Sequence, residues 1–68
     1  PYVRGDYNTV KLHTNALQNY DPTIAMGYSS IALASLRIAK EQGSMSEAEY
    51  NEIFTYLVRS IKKSLDTF

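Results

Sequence analysis

The residue types that carry most enzyme and metal chemistry are scarce here: the 68 residues include a single histidine, His13, and no cysteine. No carboxylate, cysteine or serine stands at a spacing that would complete a metal site or a nucleophile and base pair with His13. Its ordinary reading is a surface or helix-packing histidine. The available carboxylate pairs are Asp6 with Asp21 and Glu49 with Glu52. The first pair falls in segments read as loops, where turn and cap duties explain it. The second lies in the first turns of a helix, where the dipole does. No catalytic residue, cofactor or metal is expected. Arg4-Gly5-Asp6 is the tripeptide integrin ligands use, but a Gly-Asp turn accounts for it fully.

Phosphate binding is the other chemistry to weigh. Arg59, Lys62 and Lys63 cluster near the C-terminus and are the candidate phosphate contacts. Seven basic and seven acidic residues cancel, so the chain as a whole has no electrostatic reason to seek nucleic acid or an anionic membrane. Any such binding needs a local patch. In an antiparallel hairpin Lys40 falls beside Glu47 and Glu49, far from Lys62 and Lys63, and Lys62 is partly neutralised by Asp66 four residues on.

The elements that position these groups are organised around Gly43 to Tyr50. Gly43 can take the left-handed conformation that closes a helix, and Ser46 with Glu49 is the capping box that opens the next. Met45 stands before the cap where it can pack on Tyr50 as a hydrophobic staple. Upstream, Asp21 as N-cap and Pro22 at the first helical position start a helix over about 22–42. Ile24, Tyr28, Ile31, Ser35 and Ile38 form one stripe on it, widened by Ala25, Ala32, Leu36 and Ala39. Its many small residues suit close neighbours on more than one face. Gly27 inside it costs about 1 kcal/mol against alanine, which calls for a packing or bending reason.

The next helix spans about 47–67, with Tyr50, Ile53, Phe54, Leu57, Val58, Ile61, Leu65 and Phe68 on one face. Its acidic residues stand in the first turns and Arg59, Lys62 and Lys63 near the end, as the dipole favours. Tyr56 falls off the main stripe. The alternation Val10, Leu12, Thr14 fits a short strand as well as a helix, but a lone strand would have no partner elsewhere in the chain, so a shorter helix is predicted over about 9–19, capped by Asn8, with an irregular arm before it at 1–8. The uncharged run from Pro22 to Leu36 is shorter than a membrane span requires, so no membrane association is expected.

Leu33, Leu36, Gly43, Met45, Ser46, Glu47, Glu49 and Tyr50 resemble the pattern of the SHOCT domain, a short C-terminal helical hairpin, over about residues 33–57. That resemblance implies an oligomerisation or interaction module and brings no catalytic residue with it.

The expected architecture is therefore all-α: one domain over 1–68, two long antiparallel helices and a short N-terminal helix. A domain this small buries roughly 60% of the surface its unfolded chain exposes. Without disulfide or metal, self-association is the cheapest remaining support. The expected function is a non-catalytic protein-interaction or regulatory domain, binding its own copy as a dimer or another protein through Tyr28, Ile31, Leu57, Ile61, Leu65 and Phe68. The alternative is a small dimeric nucleic-acid-associated regulator using the basic C-terminal end. Nothing fixes a compartment; the cytoplasm is the default reading.

Overall fold

A computed structural model of the chain describes residues 6–43 and 45–67. They form three helices, α1 (Asp6–Tyr20), α2 (Pro22–Glu41) and α3 (Glu47–Leu65). α2 and α3 pack antiparallel, and α1 lies mainly against α2 with a thinner contact to α3. The all-α bundle expected from the sequence is the fold observed.

The two helix starts read from the sequence hold in detail. The Asp21 carboxylate accepts from the Thr23 backbone N–H at 3.0 Å, with Pro22 opening α2. At α3 the capping box is complete: Glu49 N–H donates to Ser46 Oγ at 3.1 Å, and Ser46 N–H donates to Glu49 Oε1 at 2.9 Å. Gly43 between them has φ +74°, which only glycine adopts without strain. The Ser46 backbone and side-chain bonds to the Glu49 carboxylate hold its pKa below the ordinary value. A depressed carboxyl stabilises the fold above its unfolded pKa, and that contribution is lost as pH falls through the folded value. Ser46→Ala should cost about 1 kcal/mol near neutral pH. It should also flatten the acid limb of a stability-versus-pH curve, measured by urea unfolding.

α1 begins earlier than expected. Asn8 lies inside the helix instead of capping it, and residues 6–8 of the expected arm are helical; the rest of that arm, 1–5, lies outside the described residues. Tertiary contact explains the extra turn. Tyr7 packs edge-on to Tyr56 of α3, with ring centroids 6.0 Å apart, and the Lys11 ammonium sits 4.7 Å from the Tyr7 ring centroid.

The inward face of α2 is the flank of the expected apolar surface, not its central stripe. α2 turns Ala25, Ser29, Ala32 and Leu36 inward, while Ile24, Ile31 and Ile38 of the expected stripe are 46%, 72% and 55% exposed. Small residues win the inward position because they let helix axes approach: Ser29 Oγ and Ser60 Oγ meet at 3.0 Å across the α2–α3 seam. α3 buries Ile53, Leu57, Ser60 and Ser64, leaving Leu65 half exposed. The apolar core is the cluster Val10, Ala32, Leu36, Ile53 and Leu57.

Gly27 has no packing reason within the fold. A Cβ built on it meets nothing within 4 Å. Gly27→Ala should therefore stabilise the monomer by about 1 kcal/mol. That corresponds to a rise of roughly 4–8 °C in the melting midpoint at low protein concentration.

Candidate interaction surfaces and a cationic cleft

A cleft of about 240 Å³ opens between α1 and α3, lined by Asn15, Gln18, Tyr56, Arg59, Ser60 and Lys63. Its floor is fixed by Gln18, whose amide donates to the Ser60 carbonyl at 3.0 Å and to Ser64 Oγ at 2.7 Å. The Tyr56 hydroxyl donates toward the Lys11 carbonyl and Asn15 Oδ1, each at 3.4 Å. Arg59 and Lys63, one turn apart on α3, share this rim; Lys62 is not part of it. The only ion pair among the described residues joins Lys40 to Glu47 at the other end of α3. Arg59 and Lys63 thus stand as a like-charge pair at i, i+4, an arrangement that costs a few tenths of a kcal/mol in a helix.

The structure scatters the interface residues expected from the sequence. Ile31 and Leu65 are 72% and 54% exposed. Ile61 is half-buried. Leu57 belongs to the core at 0% exposure and offers nothing to a partner, a correction that follows from its place at the centre of the α2–α3 seam. Phe68 lies outside the described residues. Tyr28 is committed within the chain: its hydroxyl lies 3.4 Å from His13 Nδ1, either partner donating according to the imidazole tautomer, and the rings meet edge-on. Burial raises the Tyr28 pKa. The Tyr7 pKa is also raised, by burial first and then by the Glu52 carboxylate and Tyr56. His13 therefore braces α1 on α2. Among the described residues no group of three or more histidines, aspartates or glutamates is placed to hold a metal, and no helix is long and apolar enough to cross a membrane.

Two apolar rows reach the surface instead. On α3, Phe54, Val58, Ile61 and Leu65 recur at steps of four, three and four, each exposed or half-buried. On α2, Ile24, Gly27, Ile31, Ala34 and Ile38 recur at steps of three and four, all exposed. Ile24, Ile38 and Phe54 are further interface candidates, placed by the sequence on the apolar stripes of their helices but not among its interface residues. The seven-residue spacing of the α2 isoleucines was a visible signal, but periodicity alone does not say whether a row faces inward.

Comparison with known proteins adds no relative: no protein-family model matches the chain, and no curated protein or solved structure matches it.

Proposed function

We propose that this chain is a non-catalytic interaction domain that works by presenting apolar helix faces to protein, its own copy included. The observation that supports it is the set of large apolar side chains left exposed: Leu12, Tyr20, Ile24, Ile31, Ile38, Phe54 and Leu65. Single exposed apolar residues need no explanation, but rows of them on helix faces are what partner helices recognise. The resemblance of residues 33–57 to a SHOCT-type hairpin points the same way. The test is solution mass across a concentration range, by sedimentation, with the thermal midpoint at each concentration. A species larger than a monomer whose midpoint rises with concentration supports self-association, since folding and association are then linked. A monomer throughout, with no change in midpoint, removes the self-associating form of the proposal.

A second reading rests on the unpaired Arg59 and Lys63 at the α1–α3 cleft, which suit phosphate or carboxylate oxygens. It keeps nucleic acid as the alternative partner class. A low-salt titration with short DNA and RNA duplexes tests it: binding with a steep salt dependence, lost in Arg59→Ala/Lys63→Ala, supports it. No binding at low salt ends it.

A further inference from the structure

We infer that the α1–α3 cleft is a binding site for a small phosphate monoester, held as the dianion by Arg59, Lys63 and the side-chain amide of Asn15. This rests on the cationic cleft of the second reading above, and replaces a polynucleotide backbone by a free ligand of different charge.

Unspent donors are the first observation. Arg59 and Lys63 rim the cleft with Asn15 of α1, and neither cationic side chain has a hydrogen bond or an ion pair among the described residues. The groups beside them are already committed. Gln18 Nε2 donates to the Ser60 carbonyl and to Ser64 Oγ, and the Tyr56 hydroxyl donates toward the Lys11 carbonyl and Asn15 Oδ1. Tyr56 therefore occupies the acceptor side of the Asn15 amide and leaves its two N–H groups to a ligand. A guanidinium fork suits two oxygens of a tetrahedral anion, and an ammonium suits a third.

The second observation is where the charges lie. The chain is neutral as a whole, yet no aspartate or glutamate stands from Tyr7 to Tyr20 or from Ile53 to Leu65, the stretches that hold Lys11, Arg59, Lys62 and Lys63. α2 adds no charge between Pro22 and Leu36. The dipole of α3 accounts for Lys62 and Lys63 in its last turn. It does not account for Arg59, which stands a turn earlier, at a repulsive spacing from Lys63 on the same rim. An anion between the two cations turns that repulsion into attraction.

Charge and volume select the ligand. A phosphate monoester carries about −1.5 to −2 charges near neutral pH and three acceptor oxygens, which matches two cations and three donor groups. A phosphodiester or a carboxylate brings a single charge and leaves one cation uncompensated. The cleft measures about 240 Å³, below the roughly 300–1,000 Å³ of ordinary ligand pockets, so it fits a small ester.

The test is a 1H–15N NMR titration of the chain at low ionic strength. Glycerol 2-phosphate is the monoester, dimethyl phosphate the diester, and sulfate a dianion whose charge stays fixed. Glycerol 2-phosphate should give saturable shifts of the Asn15 side-chain amide and of the Arg59 and Lys63 backbone amides, with dimethyl phosphate at least about tenfold weaker. Between about pH 7.5 and about pH 5 the monoester should lose roughly tenfold in affinity as it takes up its second proton, while sulfate binds equally at both. Besides Arg59 and Lys63, the charged or titratable groups at the cleft or one turn beyond its lining are Lys11, Tyr56, Glu52, Asp66 and Asp21, and His13 is engaged with Tyr28. Titration of any of these acts on sulfate too, so sulfate isolates the ligand's own proton.

Asn15→Asp keeps the acceptor for Tyr56 and sets a carboxylate beside the two cations. It should abolish binding without lowering the melting midpoint of the free chain. Arg59→Gln and Lys63→Gln should each weaken the monoester at least about fivefold, again with no loss of midpoint, since both side chains are exposed. No saturable shift at tens of millimolar ligand, equal affinity for dimethyl phosphate, or binding that survives Asn15→Asp overturns the inference. A phosphoserine peptide that binds far more tightly than glycerol 2-phosphate overturns the assignment to a small free ligand. Duplexes that bind where glycerol 2-phosphate does not would end this inference and leave the nucleic-acid reading standing; the reverse would end that reading alone.

Discussion

Leu36→Ala should leave the chain without a cooperative thermal transition. A domain of 68 residues is stabilised by roughly 3–10 kcal/mol at the usual values per residue. This one belongs near the bottom of that range. Its buried apolar residues are Val10, Ala25, Ala32, Leu36, Ile53 and Leu57, two of them alanines that contribute little area. Leu36 and Leu57 are the largest side chains with no exposure at all. Removing one buried leucine costs about 2–5 kcal/mol, the lost transfer energy plus the cavity that remains. Neighbouring Ala32 cannot fill that cavity, and the seam beside it is held by serine hydroxyls at hydrogen-bond distance, which resists collapse.

The control is Ile38→Ala, two residues on. Ile38 is 55% exposed, so at concentrations where the chain is monomeric the same kind of truncation should cost only a few tenths of a kcal/mol. Circular dichroism on both variants, in urea and on heating, decides the matter. If the two lose comparable stability, the assignment of inward and outward faces of α2 is wrong.

That contrast also marks the limit of what the sequence shows. The ends of α2 and α3 were legible because capping is local: Asp21 with Pro22, and Gly43 followed by Ser46 and Glu49, each satisfy backbone groups within a few residues. Which face turned inward was not local. α2 carries two rows that could serve as a core, one of isoleucines and one of alanine, serine and leucine. Side-chain hydrophobicity favours the first. The structure chooses the second because small residues bring the α2 and α3 axes close enough for Ser29 to reach Ser60. The start of α1 was misplaced for a related reason. Tyr7 extends the helix by packing on Tyr56, 49 positions away in the chain, and no window of local sequence contains that partner. Of the candidate site, Arg59 and Lys63 were legible as cations, whereas the cleft they rim depends on Gln18, whose polarity gave no signal of a position between helices.

Gln18 is also where the second large effect is expected. Among the described residues α1 contributes only Val10 and Thr14 to the fully buried set, and the Thr14 hydroxyl donates back to the Val10 carbonyl within its own helix. Beyond these and the packing of Tyr7 on Tyr56, little apolar surface fixes how α1 sits on the α2–α3 pair. The Gln18 amide does so by polar contact, to the Ser60 carbonyl and to Ser64 Oγ, with Ser60 Oγ at a longer 3.4 Å. Ser64 is 0% exposed, and every buried polar side-chain atom among the described residues has a partner. Gln18→Leu keeps the bulk but removes the donors, leaving the buried Ser64 Oγ without the N–H that it accepts. An orphaned buried hydroxyl of this kind costs about 1–3 kcal/mol. Ser64→Ala in the same chain removes the orphan, because replacing both partners by apolar groups is far cheaper than replacing one. The Gln18→Leu/Ser64→Ala pair should therefore recover at least about 1 kcal/mol of the single-variant loss, a coupling that a double-mutant cycle reads directly. Native-state hydrogen exchange should show where the loss falls. In Gln18→Leu the amides of α1 should exchange well before those of α2 and α3, since α1 has lost a contact that fixes it to α3 while the apolar seam of Ala32, Leu36, Ile53 and Leu57 is unchanged. Strict additivity of the two substitutions, or equal loss of protection in all three helices, would mean that apolar packing alone holds α1 in place.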